Sequence, residues 1–202
     1  MRPASDPASR RRSKTGVGVG LSTFGRLAAV APILLAGMTI LARPAAAQIT
    51  LGSSGDPPHL AMGLGAFDIT PSAHKDSETS AEARAEYRFG DKLWIISPFV
   101  GVSGSSDGAF YGYFGFGFDV NFGPNWVLTP TGAAGYFTRG QGTKLGSWWE
   151  FRTGAEFAYR FADSSRLGIA VNHTSNAGLT KRNPGEQSAV LVYSVPMPSI
   201  AW

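Results

Sequence analysis

Beyond residue 58, apolar and polar positions alternate with a period of two, the pattern of strands whose two faces meet different surroundings. Eight runs are legible, at about 59–70, 80–89, 93–101, 109–121, 126–138, 147–161, 165–175 and 187–197. Gly, Asn, Asp, Ser and Pro fill the gaps between them, as turn residues should. In the second run Glu82, Arg84, Glu86 and Arg88 share one face, and Ala81, Ala83, Ala85, Tyr87 and Phe89 share the other. The sixth repeats this, with Glu150, Arg152, Glu156 and Arg160 opposed by Trp149, Phe151, Phe157, Tyr159 and Phe161. In the fourth, Phe110, Phe114, Phe116, Phe118, Val120 and Phe122 line one side, and Tyr111, Tyr113, Gly115, Gly117 and Asp119 the other. No amphipathic helix competes with these strands.

Alternation alone leaves two all-β architectures open. A water-soluble sandwich buries the apolar face, whereas a membrane barrel turns it outward to lipid and keeps the charges inside. Three features favour the barrel. The runs are near the length that a tilted membrane strand needs, about 9–11 residues. Trp94, Trp126, Tyr136, Trp148 and Trp149 cluster near run ends, where interfacial aromatics sit. The gaps also alternate, long at about 71–79, 102–108, 139–146 and 176–186 and short at about 90–92, 122–125 and 162–164. Outer-membrane barrels have short periplasmic turns and longer outer loops. The chain ends in Trp202, and a terminal aromatic is usual for barrels inserted from the periplasm. The expected fold is an eight-stranded antiparallel transmembrane β-barrel, with both ends on the periplasmic side.

Composition sharpens this picture. The formal net charge of +4 comes from the first 47 residues, which hold seven Lys/Arg and one acid. The rest carries eleven basic and thirteen acidic residues, so charge gives no support for nucleic-acid binding. Residues 1–47 have the layout of a secretory signal, with a basic segment to Arg26, an apolar stretch Leu27–Ala42, and Arg43-Pro44-Ala45-Ala46-Ala47 before a cut. As a membrane anchor the apolar stretch is short and is broken by Pro32 and Gly37. Residues 48–202 then form a single domain. The absence of Cys excludes disulfides, thiolate metal sites and a Cys nucleophile. No metal-ligand cluster and no cofactor motif is legible, and the Gly-rich stretch 101–118 is followed by no helix that would make it a phosphate loop.

Candidate chemistry sits in the seventh run. Leu167, Ile169, Val171, His173 and Ser175 alternate onto one face, and Gly168, Ala170, Asn172 and Thr174 onto the other. The face with Leu, Ile and Val should meet lipid, so His173 and Ser175 should point outward at the loop end of the strand. Their Cα atoms would stand roughly 6.5–7 Å apart on a pleated strand. That brings a base within reach of a hydroxyl, which is a weak nucleophile until its proton is taken. A carboxylate commonly fixes the base's tautomer, and the following loop offers one acid, Glu186. The alternative is that His173 and Ser175 are interfacial polar residues without chemistry.

His173-Thr174-Ser175-Asn176-Ala177-Gly178, followed by Asn183-Pro184-Gly185-Glu186-Gln187-Ser188, resembles the signature of the outer-membrane lipid A 3-O-deacylases of the PagL type. The resemblance implies an eight-stranded barrel enzyme that acts on lipid A in the outer membrane. It implies Ser175 as nucleophile, His173 as base and then acid, and Glu186 as orienting carboxylate. It also implies oxyanion donors from Asn176 and from a backbone N–H near Ala177 or Gly178. One feature conflicts with this. Strict alternation from Leu191, Tyr193, Val195 and Met197 turns Glu186 inward, so a bend or a bulge would be needed to bring it to His173.

The charges of the second and sixth runs tempt a channel reading, but eight strands leave an interior just wide enough for side chains. A packed, paired plug is expected instead. His59 and His74 read as solvated residues. The expected partners are lipid A or lipopolysaccharide as substrate and outer-membrane lipids, and a homodimer is left open. Two other functions compete, a non-catalytic barrel of adhesin or structural type and a different lipid acyl hydrolase or acyltransferase.

Overall fold

The computed structural model describes residues 48–52, 55–70 and 78–198. The leader, His74 and Trp202 lie outside these residues. The strands are β1 (Ile49–Leu51), β2 (His59–Phe67), β3 (Ser80–Arg88), β4 (Ile96–Ser105), β5 (Phe110–Phe118), β6 (Val120–Phe122), β7 (Trp126–Thr138), β8 (Trp149–Arg160), β9 (Arg166–Ser175) and β10 (Glu186–Pro196). All pairings are antiparallel. β2 to β5 pair in sequence, β5 and β6 both pair with β7, and β7 to β10 follow in order. β10 returns to β2, with Pro196 opposite His59 and Ser188 opposite Phe67, and this closes the cylinder.

β5 and β6 form one crossing strand. Gly117 faces Thr131 and Val120 faces Leu128 on β7, so the register runs unbroken past Asp119. The described residues therefore hold eight crossing strands, and β1 is a short addition alongside β6. One rim carries His59, Pro196 and the connections 89–95, 123–125 and 161–165. The far rim carries the connections 106–109, 139–148 and 176–185.

Both boundaries of the third run depart from the sequence expectation. The third crossing strand is Ile96–Ser105 instead of 93–101. Trp94 takes a positive φ of 64° in a tight turn that pairs Leu93 with Ile96, which delays the strand. At its other end Ser103 and Gly104 read as loop residues, yet they stay in the ladder opposite Tyr111 and Phe110. The expected long loop 102–108 is consequently a short connection.

Burial decides between sandwich and barrel. The apolar rows are exposed, with Leu64 at 71%, and Val100, Phe114, Phe157, Ile169 and Leu191 lie in the same outward band. The charged rows are buried, with Glu86 at 4%. A soluble sandwich would show the reverse. Inside, Glu86 accepts hydrogen bonds from Arg152 (2.7 Å), Tyr113 (2.9 Å) and Arg88 (3.0 Å). Arg88 also reaches Glu156 at 2.6 Å, and the Arg152 guanidinium lies 4.0 Å from the Tyr113 ring centre. At the rim that carries His59, Arg166 bridges Asp56 and Asp119 at 2.8 and 2.9 Å. These ion pairs fill the lumen as a plug. Phe67, Phe99, Tyr111, Tyr113, Phe137 and Leu145 pack among and above them.

Candidate active site

β9 delivers the two expected groups through alternation alone. Along Arg166–Ser175 the even positions are buried, and Leu167, Ile169, Val171 and His173 are exposed. Ser175 continues the outward row at the far rim and is half-buried. In the ladder, Phe151 of β8 stands opposite Ser175 and Thr153 opposite His173. The outer surface at this point therefore carries an imidazole and a hydroxyl on one strand, with an aromatic wall beside the hydroxyl.

Glu186 is not brought to His173. It is the first residue of β10, paired with Thr174, and it is 1% exposed on the lumen side of the wall. The bend or bulge that would turn it outward does not occur. Pairing with β9 already begins at Glu186, and strict alternation holds from there. Its neighbour Gln187 is the residue directly opposite His173, and Gln187 Nε2 lies 3.1 Å from His173 Nδ1. The sequence did contain this signal. Gln187 has the same parity as Leu191 and Tyr193, and so belongs to the outward face.

Gly185 supports the imidazole from another side. Its φ is +65°, and a Cβ built there would stand 2.6 Å from His173 Cε1 and 3.3 Å from Nε2. Only a residue without a side chain lets the backbone come this close, and the left-handed conformation favours glycine independently.

Asn176 and Gly178, the expected oxyanion donors, are engaged within the loops. Asn176 is fully buried, and its Nδ2 donates to the carbonyls of Leu145 (2.9 Å) and Arg182 (2.8 Å) and to Thr180 Oγ1 (2.9 Å). Its backbone N–H donates to Asn183 Oδ1 at 3.0 Å. Its Oδ1 accepts the Gly178 N–H at 2.9 Å, and its carbonyl accepts the Leu179 N–H at 3.0 Å. The result is a tight turn over residues 176–179, with Ala177 and Gly178 both at positive φ (52° and 82°). This pair of values is that of a type I′ turn. Asn176 thus ties the 139–148 loop to the 176–185 loop and sets the chain path after Ser175. Sequence reasoning missed this clamp, which depends on two loops meeting across the barrel mouth, and missed Gly185, whose approach to His173 depends on how the 176–185 loop folds back over β9. Among the described residues, no group of three His, Asp or Glu side chains is placed to hold a metal ion.

The family model for lipid A 3-O-deacylase (PagL) matches residues 77–196, a span that holds β3 to β10 and every residue of this site. This chain belongs to that family. The lipid A 3-O-deacylase barrel described here is a protein of the outer membrane. It is similar to the crystal structure of the outer membrane enzyme PagL at 19% identity, covering 69% of this chain and 99% of that one, with a TM-score of 0.56. A de novo designed transmembrane β-barrel is 11% identical, covers 72% of this chain and 99% of its own, and has a TM-score of 0.50. At these identities the likeness is one of fold. No curated protein matches the sequence.

Proposed function

We propose that this protein hydrolyses the ester-linked 3-hydroxyacyl chain at position 3 of lipid A, with Ser175 as nucleophile and His173 as base and then acid. The observation that supports this reading is the projection of both groups from one outward face of β9, at the far rim and in line with the apolar row Leu167, Ile169 and Val171. A lipid whose headgroup sits at the rim and whose chains lie along that row presents its ester at the height of Ser175 without leaving the bilayer. On this reading the far rim faces the cell surface, and residues 1–47 form the leader, cut after Ala47.

His173 Nε2 takes the Ser175 hydroxyl proton as Oγ attacks the ester carbonyl. The tetrahedral intermediate collapses, the C–O bond to the sugar breaks, and His173 returns the proton to the departing 3-hydroxyl. Water then attacks the acyl-enzyme, giving one proton to His173. The second tetrahedral intermediate collapses, the bond from the acyl carbon to Ser175 Oγ breaks, His173 returns the proton to Oγ, and a 3-hydroxy fatty acid leaves. The N–H of Ala177 takes no part in closing the 176–179 turn and is the donor assigned to the developing oxyanion. Gly178 N–H joins it only by releasing Asn176 Oδ1. Preorganised donors of this kind contribute several kcal/mol where water is scarce.

The test is to express the wild type and Ser175→Ala in a Gram-negative host and to weigh the extracted lipid A, with a parallel assay of detergent-solubilised protein. Loss of one 3-hydroxyacyl chain with the wild type alone supports the esterase. Unchanged masses for both proteins in both assays overturn it in favour of a non-catalytic barrel. A gain of acyl mass, or release of lysophospholipid, overturns it in favour of an acyltransferase or a phospholipase.

A further inference from the structure

We infer that Gln187, and not Glu186, is the positioning residue behind His173, its terminal amide, turned with Oε1 to the ring during catalysis, holding the imidazole in the tautomer that leaves Nε2 unprotonated toward Ser175. The inference rests on the Ser175–His173 reading for its purpose, but the contact itself rests on the ladder. Four observations carry it. Gln187 and His173 are direct partners across β10 and β9, so their side chains leave the wall on the same face. The amide is within hydrogen-bond distance of Nδ1: its Nε2 stands 3.1 Å away, and a half-turn about the last bond sets Oε1 in that place. Gly185 lies against the same ring, which leaves the imidazole held between a backbone and an amide. Glu186, the only acid of the 176–186 segment, points into the lumen beside Thr174.

The chemistry differs from that of a carboxylate partner. A terminal amide offers an acceptor, Oε1, and a donor, Nε2, at nearly interchangeable places, and a half-turn about its last bond exchanges them. With Oε1 toward the ring, the amide accepts the Nδ1 proton and fixes the tautomer in which Nε2 is the base. The amide cannot neutralise the imidazolium that forms as Ser175 is deprotonated. Hydrogen bonds with an ionised partner are roughly twice as strong as neutral ones, so Gln187 orients His173 well and stabilises its charged form weakly. In return, the position opposite His173 carries no negative charge for lipid headgroup phosphates to repel.

The test uses the full barrel in detergent micelles with lipid A as substrate. It compares the wild type, Gln187→Leu, Gln187→Glu and Glu186→Gln, with Ser175→Ala as control. Retained heat-modifiable migration on gels confirms that each variant is folded. Gln187→Leu should lower kcat by about tenfold or more, within the range of general acid–base contributions, with KM within about twofold. Gln187→Glu should restore kcat to the wild-type level or above it, a rescue that a merely structural side chain would not give. Glu186→Gln should not reproduce the kcat loss of Gln187→Leu. The second readout is the nitrogen-15 spectrum of histidine-labelled protein. The His173 Nδ1 signal should move in Gln187→Leu and stay in Glu186→Gln. A loss of kcat and a moved signal in Glu186→Gln, with Gln187→Leu like wild type, overturn the inference while leaving the esterase reading intact. If the wild type releases no fatty acid, the esterase reading fails, and the spectrum still decides the Gln187 contact.

Discussion

Gly185 lies against the imidazole of His173 so closely that a methyl group on Gly185 would stand 2.6 Å from Cε1. Backbone and ring cannot both keep their places if that methyl is added. Gly185→Ala should therefore push the ring away from Gln187 and from Ser175. The alanine must also adopt φ near +65°, a conformation that costs a residue with a Cβ roughly 1–2 kcal/mol. The expected outcome is a drop in kcat of at least about tenfold, as for loss of an aligned acid–base group, in a barrel that still migrates as folded. Full activity in Gly185→Ala would show that the ring has room to spare.

Asn176 makes its own prediction. Replacement by Ala leaves the buried carbonyl of Leu145 without this donor and takes one of two donors from the carbonyl of Arg182. An unsatisfied buried polar group costs about 1–3 kcal/mol. The loss falls on the loops 139–148 and 176–185, so limited proteolysis should cut there faster in Asn176→Ala. Amide exchange in β2 to β5 should be unchanged. Equal cutting rates would mean that the loops are held together by something else.

The lumen network should be unforgiving. Glu86 is the shared acceptor of Arg88, Arg152 and Tyr113. Glu86→Ala strands the buried Arg152 guanidinium and leaves Arg88 with Glu156 alone, and breaking a buried pair costs about 3–5 kcal/mol. Glu86→Gln keeps one acceptor and should cost less. Urea unfolding in vesicles, followed by the shift between folded and unfolded gel bands, measures both. A Glu86→Ala barrel as stable as wild type would contradict the plug.

The outward row of β9 tests the membrane face itself. Ile169 stands beside Phe157 and Leu191 in the ladder, and all three are exposed on the apolar side. Ile169→Arg should destabilise the barrel in lipid by about 2 kcal/mol or more, the cost of a lipid-facing cation near the bilayer middle. The same substitution should be nearly neutral in a protein whose outer face met water. Unfolding measured in vesicles distinguishes the two.

Several features of this protein follow from its residue order. The parity of Glu82, Arg84 and Glu86 against Ala81, Ala83 and Ala85 set them on opposite faces. The same parity put His173 and Ser175 in the row of Leu167, Ile169 and Val171. Side-chain direction on a strand is a local property with a period of two, so it is legible without knowing what the strand pairs with. Parity also turned Glu186 inward against the role that the family resemblance suggested for it, and the ladder obeys parity. Other features needed the folded molecule. Whether the apolar face meets lipid or a second sheet depends on β10 closing onto β2, a contact between residues more than a hundred positions apart. The choice of Gln187 as the partner of His173 depends on the register between β9 and β10, which turn and pairing set together. The clamp at Asn176 depends on loops from different hairpins meeting at one rim, and the close approach of Gly185 depends on the path of the loop between β9 and β10. No local pattern encodes those meetings, because each is decided by backbone groups that find their hydrogen-bond partners only once the cylinder is closed.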